Sequence, residues 1–60
     1  MSNEDIYYIQ NRASEMYKYV ENIFKNNTDE KISHELINIL SEIDFMQNRI
    51  KRLEYLFSHN

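Results

Sequence analysis

Apolar residues in the first half of the chain, Ile6, Ile9, Ala13, Met16, Val20 and Ile23, recur at alternating spacings of three and four. This is the a/d pattern of a helix that packs along one stripe. A second unbroken series runs through Ile32, Leu36, Ile39, Ile43, Met46, Ile50, Leu53 and Phe57. Its mean period of about 3.5 residues predicts left-handed packing with helices crossing near +20°. Extending the first series would place Asn27, Glu30, His34 and Ile37 in the stripe, a mostly polar set. The phase therefore resets between the two series, as it does in a hairpin and not in one continuous helix.

The segment from Lys25 to Glu30 has the chemistry of one helix ending and another beginning. Asn26 and Asn27 can adopt the left-handed conformation that closes a helix without glycine, and Lys25 suits the negative end of the first dipole. Thr28 is the expected N-cap of the second helix, with Asp29 and Glu30 at its positive end. Ser2 and Asp5 form a variant capping box at the start of the first. The expected chain is a single domain with a helix over 3–26, a hinge at 26–28 and a helix over 29–57. So short a hinge makes the helices antiparallel.

The stripes are wider than a two-helix seam requires. Tyr17, Phe24 and Leu40 extend them on the e side, and Tyr19 and Leu56 on the g side. Each helix should thus face more than one neighbour, and a hairpin supplies only one. The fold class expected is all-α: an antiparallel two-helix hairpin, coiled-coil-like, that dimerises into a four-helix bundle about 40 Å long. The dimer core expected from the pattern comprises Ile9, Met16, Tyr17, Val20, Phe24, Leu36, Leu40, Ile43, Ile50 and Leu53.

Composition sharpens this picture. Sixty residues without cysteine, glycine or proline leave no disulfide, no thiolate metal site and no turn punctuation for strands. A monomer of this size buries only roughly 60% of its unfolded surface, and oligomerisation is the remaining stabiliser. Seven basic and ten acidic residues give a net charge of −3, which disfavours non-specific nucleic-acid binding. The opening residues offer no cationic leader, and no apolar run approaches a membrane span, so a cytoplasmic protein is expected. The many Asn residues suit a low-GC bacterium or phage.

Tyr7, Tyr8, Ile37, Phe45 and Tyr55 lie beyond even the widened stripes. Tyr8, Arg12 and Tyr19 share one line on the first helix, and Phe45, Arg49, Arg52 and Leu56 share one on the second; Ile37 is added as a further exposed apolar residue. Tyr and Arg dominate binding hot spots, so these eight residues are the candidate partner-binding set.

Catalytic chemistry finds little support. His34-Glu35-Leu36-Ile37-Asn38 begins like a zinc-protease helix, but Asn38 stands where the second histidine belongs. His59 is expected in a frayed tail. Ser14, Ser33 and Ser41 have no histidine and carboxylate arranged to activate them, and Glu35, Glu42 and Asp44 read as polar-face carboxylates. Arg49, Lys51 and Arg52 read as a solvated basic face. No catalytic residue, metal or cofactor is expected.

The stretch Thr28-Asp29-Glu30-Lys31-Ile32-Ser33-His34-Glu35-Leu36-Ile37 resembles the core of the SQELD-motif aspartyl-phosphate phosphatases, helical hairpins acting on sporulation response regulators. Ser33, Glu35 and Leu36 stand at motif positions, with Met16-Tyr17 upstream at nearly the family distance. Ile37 replaces the motif's functional Asp, so the resemblance implies response-regulator binding without hydrolysis. The length and heptads are also similar to Rop-type plasmid regulators, homodimeric hairpins that bind paired RNA loops. In that comparison Asn3, Tyr7, Gln10, Lys18 and Lys25 would supply the RNA face. The expected function is a small non-enzymatic regulator, a homodimer that binds a protein such as a transcriptional or response regulator. RNA binding and phosphatase activity are the alternatives, and no membrane partner is expected.

Overall fold

A computed structural model describes residues 1–59. Two helices, α1 over Asn3–Asn26 and α2 over Glu30–Ser58, lie against each other as an antiparallel hairpin. The Cα trace measures 46 × 15 × 12 Å, two helices wide and one helix thick.

The caps account for the helix limits. The Ser2 hydroxyl accepts from the Asp5 amide at 3.3 Å, and the Asp5 carboxylate accepts from the Ser2 amide at 2.8 Å. The expected capping box is therefore formed, and it satisfies two amides that a helix start leaves without partners. α1 closes at Asn27, whose extended backbone (φ −95°, ψ 135°) donates to the Phe24 carbonyl. No non-glycine residue among those described takes the left-handed conformation expected at this hinge.

The start of α2 differs from expectation by one residue. Asp29, not Thr28, is the N-cap, its carboxylate accepting from the Ile32 amide at 3.0 Å. The Asn27 side chain explains the shift. Its amide donates to the Asp29 carbonyl at 3.0 Å and to the Ser33 hydroxyl at 2.9 Å, fixing the chain just ahead of α2. Asp also outranks Thr as a cap. The link thus spans residues 27–29 and α2 runs Glu30–Ser58. At the far end His59 stacks on Tyr55 with ring centroids 4.1 Å apart, in place of the frayed tail expected.

The core is thin. Among the described residues only Ile6, Ala13, Ile43 and Ile50 are buried. Half-buried residues between them, Gln10, Tyr17, Val20 and Phe24 on α1 and Leu36, Leu40, Gln47 and Leu53 on α2, complete the seam. Ala13, at 2% exposure, is its narrowest side chain and lets the helices approach closely. The Gln10 amide donates to Glu54 at 2.6 Å across the seam and sets its register. Among the described residues no helix is long and apolar enough to cross a membrane.

Candidate functional site

The two heptad series do not meet inside the hairpin as whole a/d stripes. The seam takes alternate members, Ile6, Ala13 and Val20 facing Leu36, Ile43 and Ile50, and fills in with their e neighbours Gln10, Tyr17, Phe24, Leu40 and Gln47. At about 100° per residue the remaining members point roughly 80° away from the seam. They are Ile9, Met16 and Ile23 on α1, which stay 37%, 48% and 42% exposed, and Ile32, Ile39 and Met46 on α2, at 52%, 39% and 37%.

The sense of that rotation is the same in both helices. Because the helices are antiparallel, it carries both rows onto one broad face of the hairpin. The opposite broad face is polar: Asn11, Ser14, Asp44, Asn48 and Lys51 line a groove there. The hairpin layer thus has one apolar broad face and one largely polar broad face that also carries Tyr7 and Ile37.

Monomeric folds of this 7.4 kDa mass expose about 4200 Å². The hairpin exposes 5171 Å². The excess, on the order of 1000 Å², is comparable with the ~800 Å² that each partner contributes to a standard interface.

Of the ten expected dimer-core residues, Tyr17, Val20, Phe24, Leu36, Leu40, Ile43, Ile50 and Leu53 are engaged within the hairpin seam or its margin. Ile9 and Met16 lie on the open apolar face. Ile23, Ile32, Ile39 and Met46 belong with them and were not in that set. The signal that separates the two groups is the e-side width: Tyr17, Phe24 and Leu40 draw the internal seam toward themselves and turn the opposite flank outward.

The candidate partner-binding residues occupy the two narrow edges, which point away from each other. Tyr8, Arg12 and Tyr19 lie on the α1 edge, where the Arg12 guanidinium sits 5.2 Å from the Tyr8 ring centroid. Phe45, Arg49, Arg52 and Leu56 lie on the α2 edge, with Arg49 at 5.1 Å over the Phe45 ring. Both are cation–π pairs on exposed rings. Within one hairpin the edges cannot form a common surface. Ile37 belongs to neither edge; its row is that of Asp44 and Lys51 on the polar face, and it is 45% exposed.

The edges also differ electrostatically. Arg12 is committed to Glu15 at 3.1 Å. No ion pair among the described residues involves Arg49 or Arg52. The α2 edge thus presents two uncompensated guanidinium groups beside Phe45 and Leu56.

Within the SQELD-like stretch, Glu30, Lys31, His34 and Glu35 line one open surface depression. The Ser33 hydroxyl is engaged by Asn27, Leu36 packs toward the seam, and His34, Glu35 and Ile37 are exposed. Among the described residues no three His, Asp or Glu side chains gather as a metal would require. The Asp5 carboxyl is held below its ordinary value of 3.8 by the Ser2 amide and then the Ser2 hydroxyl. That shift belongs to a helix cap. Comparison with known proteins finds no matching family model, no matching curated protein and no matching solved structure.

Proposed function

We propose that this chain is a small non-catalytic regulatory protein that works as a homodimeric four-helix bundle and captures an acidic partner protein through its α2 edge. The observation that carries the binding role is the α2 edge itself. Phe45, Arg49, Arg52 and Leu56 combine two exposed apolar side chains with two guanidinium groups free of ion pairs. That combination suits a protein surface bearing carboxylates around an apolar contact, as on a transcriptional or response regulator. The homodimer is supported by the apolar broad face and the surplus area. A rigid bundle fits the role because side chains on helices are presented with little ordering cost.

The test is affinity capture with the wild-type chain and with a Phe45→Ala, Arg52→Glu double variant, followed by binding measurements on the purified captured protein. We expect one acidic protein to bind the wild type at least about tenfold more tightly than the variant, given typical hot-spot losses above ~1.4 kcal/mol. Both chains should have the same helical content. Equal binding by both chains, or a nuclease-sensitive RNA in place of a protein, overturns the assignment.

A further inference from the structure

The broad apolar face could meet a second copy in two ways, because two different two-fold axes lie in its plane. One runs along the helices, stacks α1 on α2 of the other copy and puts both hinges at the same end. The other runs across the helices, stacks α1 on α1 and α2 on α2, and puts the hinges at opposite ends. Each keeps every neighbouring pair antiparallel and each covers the same apolar rows. The charges that flank those rows tell them apart.

Those flanking residues are Arg12 and Tyr19 on α1, and Glu42 and Arg49 on α2, one helical position beyond the apolar rows. With hinges together, levels along the rod are preserved. The Gln10–Glu54 bond then fixes which residues coincide. Arg12 comes within about a turn of Arg49 of the second copy, twice by symmetry. Tyr19 meets Glu42, and Arg49 of the second copy faces the ion pair of Arg12 with Glu15, which lies level with it, so the Arg12–Arg49 repulsion is offset and no new ion pair is gained.

With hinges apart, the pattern reverses. The same register places Met16 and Met46 at one level to within about half a turn, so a single transverse axis can pass beside both. Each Met then meets its own copy, and Ile9 meets Ile23. At that setting Arg12 falls opposite Tyr19 of the second copy, and Glu42 falls within about a turn of Arg49 and Arg52. Two Glu42–Arg49 pairs and two Arg12–Tyr19 contacts thus form where the other arrangement only sets Arg49 against the already paired Arg12 and Glu15.

Resting on the homodimer proposed above, we infer that two copies associate through the Ile9, Met16, Ile23, Ile39 and Met46 face about a transverse two-fold axis, with hinges at opposite ends. This arrangement has a consequence for binding. It brings the α2 edges of the two copies side by side, so Phe45, Arg52 and Leu56 are doubled into one two-fold-symmetric surface, with Arg49 turned to Glu42 of the second copy. The binding site is half-complete in a single copy. The matching partner is therefore a dimeric acidic protein, or one that presents two equivalent acidic elements.

Single-cysteine variants test this cleanly, since the chain has no cysteine of its own. Met16→Cys by itself, and Met46→Cys by itself, should each oxidise to a disulfide-linked dimer, because each sits beside the axis. With hinges together, neither variant links to itself efficiently, and only the mixture of the two does. That pattern would overturn the orientation while leaving the dimer intact. Sedimentation of the wild type as a single copy would overturn the dimer itself. As an independent readout, Arg49→Glu should weaken dimerisation by roughly tenfold, the scale of two modest ion pairs, and adding Glu42→Arg should restore it. With hinges together, Arg49→Glu would meet Arg12 and tighten the dimer, which is the opposite sign.

Discussion

Two isoleucines two positions apart on α2 give a controlled test of what covers this hairpin. Ile39 and Ile37 are similarly exposed, 39% and 45%, but Ile39 lies on the apolar broad face and Ile37 on the polar one. In a free hairpin, an Asp at either position is a surface change worth about 0.5 kcal/mol, the usual helix-propensity scale. In a bundle closed over the apolar face the two positions part company. Completing the burial of Ile39 contributes about 1 kcal/mol per copy, because full burial of the side chain is worth ~1.5–3 kcal/mol and some two-fifths of it is still open. Replacing it with Asp forfeits that gain in both copies. It also forces two carboxylates into the interface, at several kcal/mol per ion unless they take up protons. The dimer should be weakened by about 4 kcal/mol or more, roughly a thousandfold in dissociation constant. Ile37→Asp should leave dissociation unchanged. The assay is sedimentation equilibrium together with thermal unfolding by circular dichroism over a range of concentrations, since the melting temperature of a dimer rises with concentration. Equal and small effects of the two substitutions, with concentration-independent melting of the wild type, would refute the claim that a second copy covers this face.

Two further outcomes follow from the hairpin itself. Ala13→Leu inserts a branched side chain at the tightest point of the seam and should destabilise each hairpin by about 1–3 kcal/mol, visible as a melting temperature lower by roughly 4–8 °C per kcal/mol; an unchanged melting temperature would mean the helices do not approach closely at Ala13. Asp5 has a folded pKa depressed below 3.8, so its stabilising contribution is complete above that value and is lost as pH falls through the lower folded value. Asp5→Asn should flatten that part of the acid dependence, and an NMR titration that finds Asp5 at or above 3.8 would show that its bonds to Ser2 are not kept in solution.

The architecture was legible because heptad spacing and a phase reset are one-dimensional signals of a three-dimensional constraint. Ile23 cannot share a stripe with Asn27 and Glu30, so the chain must turn between them, and it does. Caps were legible where a single residue competed for the role, as at Ser2, and missed where two did. Thr28 and Asp29 both accept from a helix start, and the choice falls to the Asn27 side chain, which reaches forward six residues to Ser33. No local propensity contains that contact. The division of the stripes was hidden for a related reason. The sequence states that each helix has an apolar face broad enough for two neighbours, but not which half each neighbour takes. In α1 that choice is made by Tyr17 and Phe24, large enough to pull the internal seam to their side of Ala13 and Val20. Their pull leaves Ile9, Met16 and Ile23 outward. The same rotation places the Arg and aromatic lines of the two helices on opposite edges, so within one hairpin Tyr8 and Arg12 are held apart from Phe45 and Arg52. Under the transverse axis inferred above, each edge would be doubled with its own counterpart, and the two helices would still present separate surfaces.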